Sequence, residues 1–509
     1  MGSKFITCEE AANLVRDGST ICFCGCENLL VPEKTLAAVE KRFLKTGHPN
    51  HITAFSPIIF GMGANLGLEH FAYEGMTDTV IGSSFSYLKT SKMTKLLREN
   101  KINGYEMPMG TAFKMIQNIA SNMPFTLSDV GVGTYVDPRV ESGKMNSKSC
   151  PDIVKVVEIE GKEFFLYQHP KFDVCFLRGT TADENGNISL EEEPVKLGVM
   201  AMAMAVKACG GKVVVQVKRV AQAGSIHPKL VEIPGIFVDA VVVDEEQYTT
   251  GGTLNPQLTG EIRVPLSSIQ PLPLNIKKVI LRRAASELSE NDHVINFGVG
   301  IPADIPTILV EQNRLAGKTF FPEHGSVGGI LGGREIFGAN INPEAIIDST
   351  QVFNGFRGGI LDISFLGCAQ IDRVGNVNVS KFNDVVSGCG GFMDITYRTK
   401  KLVFCGTFMA GGLDIDVIDG QLRIKKDGKF SKFVEDVEQI TLSAKNSLAS
   451  NQKVLYVTER AVFKLESDGL HLVEIAKGIN METDIKAHIP FDIVVDPELK
   501  LMDKAYFLP

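Results

Sequence analysis

The chain has no apolar stretch long enough to cross a membrane. A membrane-spanning helix needs about 20 predominantly apolar residues in a row, and the best window, residues 199–217, is interrupted by Lys207 and Lys212. We predict that this window forms a buried helix followed by a strand, and we expect no membrane partner.

Basic residues are not in excess either. The chain has 52 Lys and Arg against 60 Asp and Glu, which gives a formal net charge of −8. Proteins that grip a phosphate backbone concentrate Lys and Arg. We therefore expect no nucleic-acid partner.

Cysteine pairs with the spacing of a zinc knuckle are missing too. The ten cysteines are dispersed, and the closest three, Cys22, Cys24 and Cys26, alternate along a predicted strand with no second Cys or His cluster nearby to complete four ligands. We predict no metal site and interpret the cysteines as reduced thiols. The first residues, 1–5 (MGSKF), lack the apolar run of a secretory signal. These features favour a cytoplasmic location.

The length and patterning predict more than one α/β domain. The 509 residues exceed the roughly 250–300 that one hydrophobic core usually organises. Helical stretches alternate with short runs rich in Val, Ile and Phe, which is typical of a mostly parallel sheet. The segment 265–273 holds three prolines, which remove N–H donors and fix φ. We predict a first domain over residues 1–264, a proline-rich linker over 265–277 and a second domain over 278–509.

An internal repeat relates the two predicted domains. Three residue pairs are each separated by 189 positions: Asp173 and Asp362, Asp183 and Asp372, Gly186 and Gly375. A weaker match joins residues 14–23 to residues 288–297 at an offset of 274 positions. Because the offsets differ by 274 − 189 = 85, the first copy would carry about 85 extra residues between these landmarks. We expect two related but unequal open α/β domains.

Three glycine-rich turns in the second half are candidate binding elements: residues 296–303 (NFGVGIPA), 320–329 (FFPEHGSVGG) and 387–394 (SGCGGFMD). The first lies between an apolar strand and a predicted helix over Ile305–Glu311, where backbone N–H groups can hold a phosphate. Glu323 follows Gly298 by 25 positions, and this spacing also suits the dinucleotide-binding domain of an oxidoreductase, in which a carboxylate holds the ribose. Against that alternative, Pro302 fits such a turn poorly. The glycines after Glu323 would instead give a reacting carboxylate close backbone approach.

Further short strings are spread over the whole chain. They are Pro32-Glu33 with 39–43 (VEKRF), His70-Phe71-Ala72 with Glu74-Gly75, 131–134 (GVGT) with Asp137-Pro138-Arg139, the turn Glu323-x-Gly-x-x-Gly-Gly, 388–392 (GCGGF), 404–407 (FCGT), and 458–460 (TER) with Val462-Phe463. Together these strings resemble the family I CoA-transferases, close to the propionate and acetate CoA-transferases of bacteria. The resemblance implies two related α/β domains of the CoA-transferase (NagB-like) fold with the active site between them. It also implies a homo-oligomer, either a dimer or a tetramer.

The resemblance implies that Glu323 is a nucleophile. Its carboxylate would attack a short-chain acyl-CoA to give an acyl-glutamyl anhydride and then a glutamyl-CoA thioester, and an acceptor such as acetate, propionate or butyrate would reverse these steps. A carboxylate is ionised near pH 7, so this ping-pong chemistry needs neither a general base nor a metal. Coenzyme A would be a substrate, with no tightly bound cofactor. The sequence leaves two alternatives open, a nucleotide-dependent oxidoreductase and a non-catalytic acyl-CoA-binding protein.

The same resemblance implies the other site residues. The implied CoA-binding residues are Gly298, Val299, Gly300, Ile301, Pro302, Asn376, Gly388, Gly390 and Gly391. The implied oxyanion turn of the first domain reads Gly25-Cys26-Glu27-Asn28, where the family usually has Gly-Phe-x-Gly. Gly25 and Asn28 would be its catalytic residues, since Asn tolerates the left-handed conformation better than most residues.

Three expectations concern the surroundings of Glu323. We interpret His324 as a variable turn residue that points outward. Arg398, Lys400 and Lys401 are candidates for a local positive field, although a solvated charge run is the simpler interpretation. The chain has Ser83-Ser84 where the family often has His-Trp, and Met109 where it often has Gln. The missing Trp and the Met would suit a different or more apolar acyl group.

Overall fold

Each half of the chain builds one large, mostly parallel sheet with helices packed on it, as the alternation of helical and apolar segments predicts. The computed structural model describes residues 4–61, 63, 65–86, 90–248, 255–332, 336–382 and 385–509. Residues 1–3, part of the segment used to judge the N-terminus, lie outside these ranges.

The elements of the N-terminal half are as follows. The strands are β1 (Thr20–Phe23), β2 (Ile52–Ser56), β3 (Thr77–Gly82), β4 (Asn103–Glu106), β5 (Phe125–Ser128), β6 (Val154–Ile159), β7 (Lys162–Gln168), β8 (Val174–Arg178), β9 (Thr181–Asp183), β10 (Ile188–Ser189), β11 (Lys212–Val217), β12 (Arg219–Ala221) and β13 (Ala240–Val243). The helices are α1 (Cys8–Ala12), α2 (Glu33–Thr46), α3 (Lys92–Arg98), α4 (Met109–Ala120), α5 (Val199–Ala208) and α6 (Pro256–Thr259).

The C-terminal half repeats this alternation with more short strands. The strands are β14 (Val294–Phe297), β15 (Thr319–Phe320), β16 (Ser326–Val327), β17 (Ile330–Leu331), β18 (Asn340–Ile341), β19 (Ala345–Ile346), β20 (Ile363–Gly367), β21 (Gln370–Asp372), β22 (Val377–Asn378), β23 (Lys381–Phe382), β24 (Val385–Val386), β25 (Lys401–Cys405), β26 (Met409–Ala410), β27 (Asp414–Ile418), β28 (Gln421–Lys426), β29 (Phe430–Ser431), β30 (Phe433–Val434), β31 (Lys453–Val457), β32 (Ala461–Glu466), β33 (Gly469–Ile475) and β34 (Val494–Leu501). The helices are α7 (Ile276–Ala285), α8 (Ile305–Glu311), α9 (Ser349–Arg357), α10 (Phe392–Arg398), α11 (Ala444–Ala449) and α12 (Met481–Asp484).

The two large sheets share one strand order. Five strands run β13-β11-β8-β1-β2 in the first sheet and β31-β25-β20-β14-β15 in the second, all parallel. The first sheet continues beyond β2 with β3 and β4. The second continues at the opposite edge, beyond β31, with β32, β33 and β34. In both, the chain order reverses beside the central strand, between β1 and β8 and between β14 and β20. Ligands of open α/β sheets bind outside the carboxyl ends of the strands at such a switch point.

The repeat is also visible in the turn after β9 and the turn after β21. Asp183 Oδ1 accepts the backbone N–H of Asn187 at 2.9 Å and its Oδ2 accepts the Asn187 amide at 3.0 Å. Asp372 makes the same two bonds to Asn376, both at 2.9 Å. The aspartates separated by 189 positions are therefore structural equivalents.

Two local predictions can be compared directly with the elements. The window 199–217 forms helix α5 followed by strand β11, and the predicted helix over Ile305–Glu311 is α8, so both predictions of element type are confirmed. Helix α5 is only partly buried, since Met204 is 38% exposed. None of the helices in the described ranges is both long enough and apolar enough to cross a membrane. Within the same ranges, no group of three or more His, Cys, Asp or Glu residues is arranged to hold a metal ion.

The proline-rich segment carries little regular structure. It contains one short 3-10 turn, Leu266–Ser268, and the next helix, α7, begins at Ile276 with the Asn275 side chain as its cap. The helix thus starts two residues before the predicted start of the second domain at 278. The boundaries at 264 and 278 stay predictions.

Candidate active site

Glu323 lies in a tight turn that follows β15 in the C-terminal half. Its side chain points inward, and only 7% of the residue is exposed. The turn is closed by the Gly325 N–H, which donates to the Pro322 carbonyl at 3.2 Å. Gly325 has a φ of 104°, and a Cβ there would lie 2.0 Å from the Ile347 carbonyl oxygen. Only glycine fits this position, and it lets the turn bring Glu323 into the interior.

One polar side chain approaches the Glu323 carboxylate from the central strand. The Asn296 amide on β14 donates to the Phe321 carbonyl at 3.1 Å and lies 3.5 Å from Glu323 Oε2. Asn296 is completely buried. The amide thus orients the chain just before the turn and faces the carboxylate.

A cavity of about 140 Å³ opens beside Glu323, between the two halves of the chain. The N-terminal half contributes Glu27, Ile58, Ile59 and Met109 to its wall. Most of the C-terminal contribution is apolar or glycine, and it includes Phe337, Leu366, Phe392 and Ile395. This cavity lies where the sequence predicts the site, between the halves, and at the switch point of the second sheet.

The first glycine turn reaches this cavity with two of its five predicted residues. Gly298 and Val299 line the wall, and the Gly298 N–H donates to the Phe365 carbonyl at 2.8 Å. Gly300, Ile301 and Pro302 lie just beyond, where a 3-10 turn leads into α8. Their roles in CoA binding stay predictions.

The third glycine turn lines the cavity with Gly388, Gly390 and Gly391 and also crosses to the other half. The Gly390 N–H donates to the Ser83 carbonyl at 2.8 Å, and the Met109 N–H donates to the Gly390 carbonyl at 3.2 Å. This turn is therefore fixed by backbone hydrogen bonds between the halves. The Gly390 N–H and carbonyl are both used in these contacts.

The oxyanion turn predicted in the N-terminal half differs from the expected conformation. Cys26 and Leu29 exchange backbone hydrogen bonds of 3.0 and 2.7 Å across a tight turn. Glu27, and not Asn28, adopts the left-handed conformation, with a φ of 51°. The expectation for Asn28 was wrong because it rested on propensity, whereas the close pairing of Cys26 with Leu29 selects the residue that turns. Glu27 lines the cavity in place of Gly25 and Asn28, whose catalytic roles stay predictions.

Asn376 lies in the structural turn already described, outside the cavity wall. Its amide donates to Asp372, and its Oδ1 accepts the Ala444 N–H at 2.9 Å. The structure thus uses both ends of this side chain to join β21 and α11. A role of Asn376 in CoA binding stays a prediction.

His324 points inward, so the interpretation of an outward side chain was wrong. It is 2% exposed, lines the cavity, and packs edge-on against Phe337 with ring centroids 5.7 Å apart. Its Nδ1 is buried, with no hydrogen-bond partner in the part of the chain that the structure describes, and burial lowers the pKa of the imidazole. Room for the ring comes from Gly338, where a Cβ would lie 2.9 Å from it. A distant glycine thus decides its orientation.

The predicted cationic residues lie at the wrong end of the sheet. β25 begins at Lys401, whereas the cavity lies at the carboxyl ends of the strands. Lys400 pairs with Asp362 at 2.7 Å and Lys401 with Asp292 at 2.5 Å. Arg398 ends α10 at the same edge. The ion pairs and the exposure of Arg398 and Lys400 favour the simpler interpretation, a charge run away from the cavity.

A different lysine lies at the carboxyl ends of the strands. The Lys432 ammonium donates to the Cys368 carbonyl, directly after β20, at 2.9 Å. A Cβ on Gly406, directly after β25, would lie only 2.7 Å from this ammonium. In the described parts of the chain no carboxylate pairs with Lys432. Sequence reasoning missed it because strand ends distant in the sequence bring it to the crevice.

Two buried carboxyl groups near the third glycine turn were also missed. Burial raises the pKa of Glu106 well above its usual range, and the Tyr135 hydroxyl donates to it at 2.6 Å. Burial also raises the pKa of Asp394, to about 6, and its Oδ2 accepts the Gly110 N–H at 2.8 Å. Acids inside the apolar strings 105–107 (YEM) and 392–395 (FMDI) were the available sequence signal.

Comparison with known sequences gives a consistent result. A profile of the family described as Coenzyme A transferase matches residues 5–244. The caffeate CoA-transferase of Acetobacterium woodii is 40% identical over 519 residues, covering 99% of this chain and 97% of that protein. The acetate CoA-transferase YdiF of Escherichia coli (strain K12) is 37% identical over 506 residues, covering 99% and 95%.

Solved structures agree with these sequences. The apoenzyme of the acyl-CoA transferase YdiF from Escherichia coli O157:H7 superimposes with a TM-score of 0.94 at 36% identity, covering 99% of this chain and 96% of that one. Its thioester complex with CoA gives the same TM-score at 35% identity and the same coverage. The α/β fold is therefore shared along nearly the full length.

Proposed function

Because this chain belongs to the coenzyme A transferase family, we propose that it transfers coenzyme A between an acyl-CoA and a free carboxylate through a covalent intermediate on Glu323. The chain is a CoA-transferase, and coenzyme A is its substrate. We choose Glu323 because its carboxylate is buried on the wall of a cavity between the two halves, at a switch point of the sheet. Relatives of nearly full length give no support to an oxidoreductase or a non-catalytic binding protein.

The proposed reaction needs no external base. A carboxylate oxygen of Glu323 attacks the thioester carbonyl carbon, the C–S bond breaks, and coenzyme A leaves as a thiolate with the electron pair. The thiolate then attacks the Glu323 carbonyl carbon, the donor acid leaves as a carboxylate, and a glutamyl-CoA thioester remains. An acceptor carboxylate reverses both steps. Burial of Glu323 supports this route, since excluding water protects both intermediates from hydrolysis.

We propose that coenzyme A enters along the crevice formed by Gly298, Val299 and Gly367. Glycines at the strand ends leave space for a long, thin pantetheine arm, and all three residues line the cavity. The Lys432 ammonium stands beside the neighbouring residue Cys368. As a cation without a carboxylate partner in the described chain, it is suited to the phosphate groups of coenzyme A.

The size of the cavity supports small acyl groups. An apolar cavity of about 150 Å³ in another protein takes up benzene, and the volume here is about 140 Å³. The relatives are named for acetate and for caffeate. Because caffeate is larger than a single benzene ring, a cavity of this volume favours the smaller acid. We propose that short aliphatic acids such as acetate, propionate and butyrate are the preferred acyl groups. Met109 and Ile58 give this space its apolar character.

The function is tested by measuring transfer from propionyl-CoA to isotopically labelled acetate. We expect labelled acetyl-CoA to form with the unaltered protein and E323Q to lose at least a thousandfold in rate. The matched control E290Q, at an exposed glutamate of the same half, should transfer at the unaltered rate. Normal transfer by E323Q would refute the role of Glu323. The homo-oligomeric state and the cytoplasmic location stay predictions, and light scattering of the purified protein tests the first.

A further inference from the structure

Helix α4 of the N-terminal half begins without a cap of its own. Its N-cap residue is Pro108, which makes no side-chain capping bond. The first two helical N–H groups are instead satisfied by the other half of the chain. Met109 donates to the Gly390 carbonyl at 3.2 Å, and Gly110 donates to Asp394 Oδ2 at 2.8 Å. Asp394 is therefore a helix cap that crosses between the halves.

This cap is tightly packed. Asp394 is fully buried, and a Cβ on Gly110 would lie 2.4 Å from Asp394 Oδ1 and 2.8 Å from its Cγ. The absence of a side chain at Gly110 therefore lets the carboxylate rest directly on the helix start. Among the described residues, Oδ1 has no hydrogen-bond partner. The mechanism proposed above does not use this group.

The capped helix start and the nucleophile border the same cavity. Met109, the first residue of α4, lines the cavity beside Glu323. Gly391 directly precedes α10, and a Cβ there would lie 3.3 Å from the Glu323 side chain. The Gly391 carbonyl accepts the Ile395 N–H at 2.9 Å, in the helical turn that also carries Asp394. A single helical turn thus joins Asp394 to the wall behind the nucleophile.

Three parts of the site act on the charge of Asp394: Arg357, Glu323 and the start of helix α4. Arg357 on α9 attracts its charge, while Glu323 repels it. The Cys389 thiol and the Tyr167 phenol also face it, and burial raises the pKa of each, so both are neutral near pH 7. The start of α4 favours a negative charge. With a pKa of about 6, Asp394 is mainly ionised at pH 7.

We propose that Asp394 is a positioning residue for the transfer reaction, one that fixes the start of α4 against the cavity and opposes the negative charge of Glu323. This inference rests on the proposed function. When Glu323 attacks the thioester, its charge passes to the departing thiolate, and Glu323 is neutral in both covalent intermediates. Formation of either intermediate therefore relieves the repulsion between the two carboxylates, which favours acylation.

The test compares D394N with a matched variant, D348N. Asparagine keeps an acceptor oxygen for the Gly110 N–H and removes only the charge. Asp348 also crosses between the halves, accepting the Gly198 N–H at the start of α5 at 2.8 Å, and it does not line the cavity. We expect D394N to lower kcat about tenfold, to leave KM for propionyl-CoA within about twofold, and to lose the fall of kcat below about pH 6. D348N should keep the unaltered kcat and pH profile.

Two results would overturn the inference. One is a D394N enzyme with the kcat and pH profile of the unaltered protein, and the other is an equal loss in D394N and D348N. If D394N does not fold, the pH dependence of kcat is measured on the unaltered enzyme instead. A fall in kcat centred near pH 6 supports the inference, and a constant kcat between pH 5 and 8 refutes it. Failure of the proposed function is recognised separately, since the unaltered protein would then form no adduct on Glu323 with propionyl-CoA.

Discussion

Gly391 leaves free the space beside the side chain of Glu323, because a Cβ at Gly391 would lie 3.3 Å from Glu323 Cγ and 3.4 Å from Oε1. The φ of Gly391 is −81°, so an alanine there meets no backbone strain. We predict that G391A lowers kcat by about one to two orders of magnitude, since a methyl group displaces the nucleophile by a few tenths of an ångström. Steady-state transfer between propionyl-CoA and acetate measures the effect.

A matched control for G391A is available on α9. A Cβ at Gly355 would make only ordinary contacts, at 3.6 Å or more. G355A should keep full activity and gain about 0.5–1 kcal/mol in stability, since alanine favours a helix interior over glycine. Equal loss of activity in both variants would show that the contact with Glu323 is not the cause.

Met109 should set the length of acyl chain that the cavity accepts. Truncation in M109A enlarges the space beside Glu323, and each additional methylene that fits is worth about 1–3 kcal/mol in selectivity. We predict that kcat/KM for hexanoate relative to acetate rises about tenfold or more. Competition between the two acids for propionyl-CoA gives this ratio directly.

Met115, buried on the same helix, supplies the control for that ratio. M115A removes a comparable core side chain that does not line the cavity, so it should lower stability without altering the preference. The same shift in M115A would mean that loosening of α4, and not the volume beside Glu323, controls the choice of acid.

Lys432 should act on the phosphate part of coenzyme A. We predict that K432M raises KM for propionyl-CoA about tenfold, because loss of one cation–phosphate contact costs about 1.5–3 kcal/mol. KM for propionyl-pantetheine, which carries no phosphate, should stay the same. The control K453M alters an exposed lysine at the other end of the sheet. Equal changes with both thioesters would contradict a phosphate contact.

Asp394 should lower the stability of the protein at neutral pH. Burial raises the pKa of its carboxyl from the ordinary 3.8 to about 6, so the folded state holds the proton over a range in which the unfolded state has lost it. The free energy of unfolding therefore falls as pH rises from about 4 to 6 and then stays low. D394N lacks this loss, and we predict that it is more stable at pH 8 by about 1–3 kcal/mol.

Thermal unfolding of D394N at pH 5 and pH 8 checks the sign. The advantage of the variant should be larger at pH 8 and should shrink at pH 5. An advantage that grows toward acid pH would mean that burial does not raise the pKa of Asp394. Together with the predicted loss of kcat, higher stability would identify a carboxylate retained at a stability cost.

Local patterns predicted much of the fold and the place of the candidate nucleophile in it. The aspartates at 183 and 372 identified the repeat because each organises its own turn through neighbouring backbone N–H groups. Glu323 was singled out by the resemblance of short strings along the chain, and Gly325 and the following glycines mark its turn as one that only small residues allow. Such features depend on residues close in sequence, which a single chain reveals.

The remaining features depend on partners far apart in the chain. The orientation of His324 is set by Gly338 and Phe337, and the cap on Gly110 comes from Asp394 in the other half. For Lys400 and Lys401 both interpretations stayed open, because a run of charges does not reveal which end of a strand it occupies. Sequence spacing alone could not predict the packing around His324, the cap on Gly110 or the strand end at which the lysines lie.

The central claim is that Glu323 becomes covalently attached to coenzyme A during turnover. Borohydride reduces a glutamyl-CoA thioester to the alcohol, so mass spectrometry of the digested protein can locate the modified residue. We predict that incubation with propionyl-CoA and borohydride abolishes activity and modifies Glu323 alone, that omission of propionyl-CoA protects the enzyme, and that E323Q is not modified. An active enzyme in which Glu323 stays unmodified, or modification of another residue, would contradict the account.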